Sequence, residues 1–471
     1  MKIKYDELND EKKAEIDEIL ETESETKLYT FDDTGNSQRF VDLYGDKFRF
    51  DHTANGWLYW DKTRWKYDNG GAIDRAINCS VERMGDELKF YQENGTEDAF
   101  QKHIKYSRSH KGKTACEAEC RPLLPVNPKQ LDRHKFAFNT LSGEVSLKNG
   151  KIFPHKQEDF ITKISPYEIS ETADCPIWEK FLDEIFLGDK DLIRFVKKSV
   201  GYSLTGSMDE QCLFFLYGDG CNGKSTFLNA VSDILGEYSM NVQPSTLMLK
   251  QSNSGGASPD IARLRGARFV TSAEPNEGQR LDEGLIKQLT GGDKITTRPL
   301  YGKEFEYFPE FKLWIATNHR PIIRGVDKGI WRRIRIIPFF ANIPEERIDR
   351  RLGDKLKAEY PAILRWAVDG CLLWQAEGLT PPKAVTECVD EYRREMDGVS
   401  AFIQDRCVLG DDKYVKASEL YAEYENWCDD GNEYKLTNTK FCAEIGNKFG
   451  KKRLNNGIFY YGIAVSEGFK S

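Results

Sequence analysis

Gly218-Asp219-Gly220-Cys221-Asn222-Gly223-Lys224-Ser225-Thr226 follows directly on the apolar stretch Cys212 to Tyr217. The apolar stretch has the character of a buried strand. After the run, Phe227, Leu228, Val231, Ile234 and Leu235 recur at helical spacing until Gly236 supplies a stop. A strand, a glycine-rich loop and a helix start let backbone N–H groups converge on phosphate oxygens. Lys224 adds a point charge, and the Ser225 hydroxyl is a candidate magnesium ligand. The spacing therefore predicts a nucleoside triphosphate held by residues Gly218 to Thr226. A chance match to Gly-x4-Gly-Lys-Ser is the alternative, and the strand before it and the helix after it argue against chance.

Two further strands are expected downstream. Arg268 to Ala273 ends at Glu274, and Phe311 to Thr317 ends at Asn318. Strands alternating with helices predict a mainly parallel sheet of α/β class. Hydrolysis needs an acid near the metal and the attacking water, and Glu274 at a strand end is the candidate general base. Its alternative is a solvated loop carboxylate. Asn318 is placed to hydrogen-bond the terminal phosphate or the water; a turn-forming Asn is the alternative.

Trp331-Arg332-Arg333-Ile334-Arg335 places Arg333 and Arg335 on one side of an extended strand, with Arg332 at its start. One of these arginines is a candidate finger for the phosphate of a neighbouring subunit, which would make hydrolysis require an oligomer. Surface salt bridges are the alternative. Between the acid and Asn318, Gly291 to Phe305 predicts a hairpin turning at Tyr301-Gly302-Lys303. Its tip residues Tyr301 and Lys303, with Lys294 and Arg298 on the outgoing strand, are candidate DNA contacts. A solvated hairpin is equally compatible with the pattern.

The chain has 471 residues, long enough for two to four domains, and a net charge of -8. That charge argues against a surface coating nucleic acid indiscriminately, while leaving room for a local basic site. No apolar run is long enough to span a membrane, and the acidic, polar start lacks signal-sequence character, so a cytoplasmic protein with no membrane partner is expected. Eleven cysteines without C-x-x-C pairs fit free thiols. His110, Cys116 and Cys120 match no zinc spacing and are expected on helix faces.

Five regions are expected. Residues 1–170 form a small α+β domain with an acidic helical leader, a Trp-rich hairpin across Trp57 to Tyr67, a helical stretch from Ala72 to His110, and turn-rich strands from Phe138 to Lys151. The hairpin aromatics are assigned to the core, with base stacking as the alternative. Residues 175–210 are a helical collar, 211–345 the nucleotide core, and 346–396 a helical extension. Within the core, Gln251 to Ser258 is expected to be a polar loop. In residues 397–471, two helices and a hairpin turning at Asn456-Gly457 have the order of a winged helix. Its candidate DNA contacts are Thr437, Asn438, Lys440, Lys448, Lys451, Lys452 and Arg453; a protein-interaction wing is the alternative.

The ordered motifs GDGCNGKST, RFVTSAEP, LIKQLTGGDKITTRPLYGKEF, KLWIATNHRP and GIWRRIRIIPF resemble those of superfamily 3 helicases of the AAA+ class, most closely the phage, plasmid and poxvirus-type primase-helicase family. WLYWDKTRW and CPIWEKFL resemble the domain preceding the helicase, and LYAEYENWCDDGN and KLTNTKF its winged-helix extension. The resemblance implies an AAA+ P-loop core with a helical collar, preceded by an α+β domain and followed by a winged helix. It implies a DNA helicase driven by ATP and Mg2+, working as a ring-shaped homo-oligomer, a hexamer, on single-stranded and forked DNA during replication of a phage or mobile element in a bacterial host. A separate primase or initiator would be its partner. Carried over by position, Lys224 contacts phosphate, Ser225 and Glu274 hold magnesium, Asn318 is a sensor, Arg333 is the finger with Arg332 as rival, and Lys303 contacts DNA. Residues 1–170 carry no zinc-ligand set or catalytic carboxylate cluster, which weighs against primer synthesis. Two other functions stay open: a primase-helicase, and a non-translocating ATP-dependent initiator.

Overall fold

Apolar strands joined through helices build a five-stranded, all-parallel sheet in the computed structural model. It describes residues 9–20, 27–93, 95–220, 222–249, 259–273, 278–298, 304–323, 328–431, 435–455 and 457–466. The strand order is Ile334–Pro338, Leu213–Tyr217, Lys312–Thr317, Phe269–Ser272 and Ser239–Val242. Both faces of the middle strands are covered, which accounts for their nearly unbroken apolar runs. The strand Ser239–Val242 is absent from the sequence expectations: it is an edge strand, and of its residues only Val242 is buried.

Register decides which residues meet. Thr317 lies opposite Tyr217, so Gly218 and Asn318 leave the sheet at the same edge. Ile334 lies opposite Leu213, so Arg332 and Arg333 approach from the other edge.

The phosphate-loop helix Lys224–Leu235 buries Phe227, Val231 and Ile234 against the sheet. Behind it, Pro176–Ile185 and Lys190–Ser203 pack on the long helix Leu352–Glu377. Gly201 and Gly370 make this approach possible: a Cβ on Gly201 would lie 2.0 Å from the Cys371 nitrogen, and one on Gly370 2.2 Å from the Lys197 oxygen. Glu359 of the long helix caps its neighbour, accepting from the Ile177 and Trp178 nitrogens at 3.0 and 2.9 Å.

Toward the N-terminus, Phe48–Asp51, Gly56–Trp60 and Trp65–Tyr67 form an antiparallel sheet. Trp57 and Trp65 are buried, as their assignment to the core required. The helical stretch expected from Ala72 to His110 is helical in three pieces, Ala72–Arg83, Leu88–Glu93 and Glu97–Ser107, with His110–Cys120 following. Cys116 and Cys120 are buried in the N-terminal hydrophobic core. A second antiparallel sheet, Ala137–Thr140, Gly143–Ser146 and Lys151–Phe153, packs elsewhere. Its Phe138 and Val145 join the core of the parallel sheet, with Phe138 stacked on Tyr238 at 4.6 Å. Hydrophobic packing therefore divides residues 1–170 rather than uniting them.

The C-terminal region runs helix Gly398–Arg406, strand Cys407–Lys416, helices Ala417–Asp430 and Asn438–Lys448, then strands Gly450–Leu454 and Gly457–Val465. The last strand lies between the other two in an antiparallel sheet. Phe402, Leu420, Tyr424, Phe441 and Ile445 form a core of its own. Among the described residues no helix is long and apolar enough to cross a membrane.

Candidate nucleotide site

Two glycines shape the loop. Gly223 has φ +88, and a Cβ there would lie 2.7 Å from Ile185 Cγ2; on Gly218 it would lie 2.1 Å from the Phe339 oxygen. Gly220 faces open space, with nothing within 4 Å of such a Cβ. The helix begins at Lys224, so its first-turn N–H groups sit beside the loop with the positive end of the helix dipole. Ser225 is exposed on that first turn.

The Lys224 ammonium is buried and donates to the Gly218 and Asp219 carbonyls at 2.5 and 2.8 Å, to Asn222 Oδ1 at 3.1 Å and to Asn318 Oδ1 at 2.9 Å. These neutral oxygens orient the ammonium. Asn222 is itself fixed by donating to the Phe339 oxygen at 2.8 Å. A glycine cradle, a helix N-terminus, an oriented ammonium and an exposed hydroxyl match the donor set a magnesium triphosphate requires.

The loop after Asn318 is clamped by Arg320, which pattern reading missed. Its guanidinium lies 4.2 Å from the Tyr217 ring centroid and pairs with Glu391 at 2.9 Å and Glu395 at 2.6 Å, on the helix Lys383–Glu395. Tyr392 of that helix donates to the Pro321 oxygen. The remaining candidates on this side, Glu274 and Cys221, lie outside the described residues, as do Tyr301, Lys303, Asn456 and the 251–258 loop.

The arginine pair separates cleanly. Arg333, the preferred finger, is only 8% exposed and donates to Thr290 Oγ1 at 3.1 Å and the Gly329 oxygen at 2.6 Å. In this arrangement its guanidinium faces inward. Arg332 is exposed, holding Gln211 Oε1 at 2.8 Å. It enters at the edge opposite the phosphate loop, separated by the five-residue strand Leu213–Tyr217, about 17 Å.

The DNA candidates also divide. Ile295–Thr297 and Phe305–Tyr307 form the expected antiparallel hairpin. At its base Lys294 pairs with Glu306 at 3.0 Å, and Arg298 is exposed. Lys440 and every residue of Gly450–Leu454, including Lys451, Lys452 and Arg453, are exposed. Lys448 is not available in the same way: it bonds Asp397 Oδ2 at 2.9 Å and Ser400 Oγ at 2.5 Å, tying the second helix to the start of the domain.

Fold and site define a protein of mixed α/β architecture built on a parallel sheet, with a glycine-rich loop between the strand Leu213–Tyr217 and the helix Lys224–Leu235. Residues 37–187 match a family model described as D5 N terminal like, 216–333 a family of unknown function, and 394–462 a family described as Poxvirus D5 protein-like. The chain is 27% identical over 364 residues to "Putative helicase L207/L206" of Acanthamoeba polyphaga mimivirus, covering 72% of this chain and 38% of that protein. It is 26% identical over 129 residues to "Putative primase C962R" of African swine fever virus, covering 27% of this chain and 13% of that protein. The chain thus spans well under half the length of either relative. The apo structure of the NrS-1 C-terminal region has a similar fold, with a TM-score of 0.51 at 12% identity, covering 91% of this chain and 99% of that one. The chain thus carries segments similar to the poxvirus D5 families at both ends, and its relatives in large DNA viruses are named putative helicases and putative primases.

Proposed function

We propose that the chain is an ATP-driven DNA helicase of superfamily 3, a ring-forming AAA+ motor that replicates a viral or mobile-element genome in the host cytoplasm. The observation that carries this reading is the contact between Lys224 and Asn318 across the shared edge of adjacent strands. Backbone N–H groups of the loop bind the phosphates, Lys224 follows the terminal phosphate, and Asn318 orients that phosphate or the attacking water. Ser225 and Glu274 would hold Mg2+, which when bound would spread the charge developing on the phosphate oxygens. Glu274 serves as the base. Arg332 reaches from the far edge of the sheet into the site of the next subunit, so a closed homo-oligomer, a hexamer, completes each site.

Helices 175–210 act as a collar, and the C-terminal unit acts as a winged helix. The order helix, strand, helix, helix, strand, strand supports the latter, with Lys440, Lys451, Lys452 and Arg453 toward duplex DNA. Lys303 and Tyr301 at the hairpin tip, with Lys294 and Arg298 below, engage single-stranded DNA. The test is strand displacement on a forked duplex with ATP: displacement by wild type, and none by Lys224→Ala, supports the motor. DNA-stimulated hydrolysis without displacement would make the chain a non-translocating initiator.

A second reading follows from the relative named as a primase: a primase-helicase that also synthesises primers. Incorporation of labelled ribonucleotides on a single-stranded template tests it, and absence of product removes it.

A further inference from the structure

A cleft of about 1280 Å³ lies between the N-terminal antiparallel sheet and the edge of the parallel sheet that carries Ser239 and Met240. This edge is three strands from the phosphate-loop strand, and none of the described residues of the loop lines the cleft. The volume exceeds the ~300–1,000 Å³ of small-molecule pockets. A polymer segment fits that size better than a metabolite.

The charge of the lining is opposite to that of the chain. Among the described residues, eight Lys or Arg and four Asp or Glu face the cleft, whereas the whole protein carries -8. Cations are interleaved with rings: Lys66 lies 5.8 Å from the Tyr59 ring centroid, Arg265 5.9 Å from Phe305, and Lys294 5.9 Å from Phe308. Phe308 is 54% exposed, which is costly for a ring with no role at the surface.

The walls are tied together by bonds that cross between them. Arg64 pairs with Glu237, Asn139 Nδ2 donates to the Thr63 oxygen at 3.0 Å, and Arg265 donates to the Pro128 oxygen at 3.1 Å. The cleft is therefore preformed rather than opened by its occupant.

We infer that this cleft binds single-stranded nucleic acid, its backbone following the lysines and arginines and its bases stacking on Phe308 and neighbouring rings. Lys294 and Tyr307 at the hairpin base, and Phe305 further along it, also line the cleft, so a strand engaged at the hairpin continues directly into it. The inference rests on the proposed DNA motor for the identity of the polymer, and its test separates the two.

Binding of fluorescein-labelled oligothymidylate to the full chain is measured by anisotropy over a salt series. Lys129→Glu combined with Arg265→Glu should weaken binding more than tenfold and flatten the slope of log K against log salt by about 1.4, at about 0.7 for each phosphate no longer neutralised. Lys129→Arg with Arg265→Lys should retain binding. Phe308→Ala should weaken it about tenfold, and Phe308→Trp should restore it. Melting midpoints identify any variant that fails to fold, and the Phe308 pair stands independently of the charge reversal. Wild-type affinity and slope in both the charge-reversed and Phe308→Ala proteins would overturn the cleft assignment while leaving the motor standing. No binding by wild type would overturn both. Tighter binding of poly-glutamate than of oligothymidylate would assign the cleft to an acidic protein instead.

Discussion

Asn318 Oδ1 lies 2.9 Å from Lys224 Nζ, joining the ends of two strands that run side by side in one sheet. The bond fixes the ammonium against the end of the neighbouring strand, the geometry that the proposed sensing role of Asn318 requires. Arg320 and the helix beyond it hold the asparagine loop in place.

Replacing Asn318 by Ala removes a neutral acceptor while leaving the fold's hydrophobic core intact. Nucleotide binding should persist and ATP turnover should fall about 10²–10³-fold, the range for losing one positioned polar group. Equal losses of binding and turnover, measured by nucleotide titration and steady-state hydrolysis, would move Asn318 from sensing to folding.

The two adjacent arginines should fail in different ways. Arg333→Ala strips Thr290 and the Gly329 carbonyl of a buried partner and should destabilise the chain by about 1–3 kcal/mol, read as a lower melting midpoint. Arg332→Ala should leave the midpoint in place and reduce oligomer hydrolysis about 10³-fold or more. Mixing Arg332→Ala with Lys224→Ala protein should restore some turnover, because one mixed interface carries an intact pair. Absence of rescue would argue against a site completed between subunits.

Triple replacement of Lys451, Lys452 and Arg453 by Ala should flatten the salt slope of duplex binding by about 2.7, at about 0.9 per phosphate. Thermal stability should not change, since the whole strand is exposed. Lys448→Ala should do the reverse, lowering stability by removing its bonds to Asp397 and Ser400. An unchanged slope in the triple variant would favour a protein-binding wing.

A pH effect is expected at Glu144, in the sheet that ties the N-terminal region to the core. Burial, and then the nearby Asp159 carboxylate, push its carboxyl from 4.5 up to about 7. A raised carboxyl favours the protonated folded state, so its contribution is fully present below pH 4.5 and is lost as pH rises through about 7. Glu144→Gln should therefore melt higher than wild type above neutrality and converge with it in acid. A difference independent of pH would contradict the assignment.

The parallel sheet was legible because apolar runs bounded by glycine and polar turns leave few alternatives. The edge strand Ser239–Val242 was not, since an edge strand buries too little to show a pattern. Arg332 and Arg333 could not be separated because facing depends on where the strand begins. A short helix ending at Trp331 delays it to Ile334, turning Arg333 inward. The strand Cys407–Lys416 was hidden by its turn-like Gly410-Asp411-Asp412 and by a register shift between Leu409 and Tyr414. Lys448 looked like a DNA contact because its partner Asp397 is 51 residues away in sequence.

The central claim is that Gly218 to Thr226 powers movement on DNA. Its most direct test is the rate of ATP hydrolysis by purified wild-type protein with and without oligothymidylate, beside Lys224→Ala. The account predicts hydrolysis that rises when the oligonucleotide is added and is abolished in the variant. Undiminished, DNA-stimulated turnover in Lys224→Ala would contradict it.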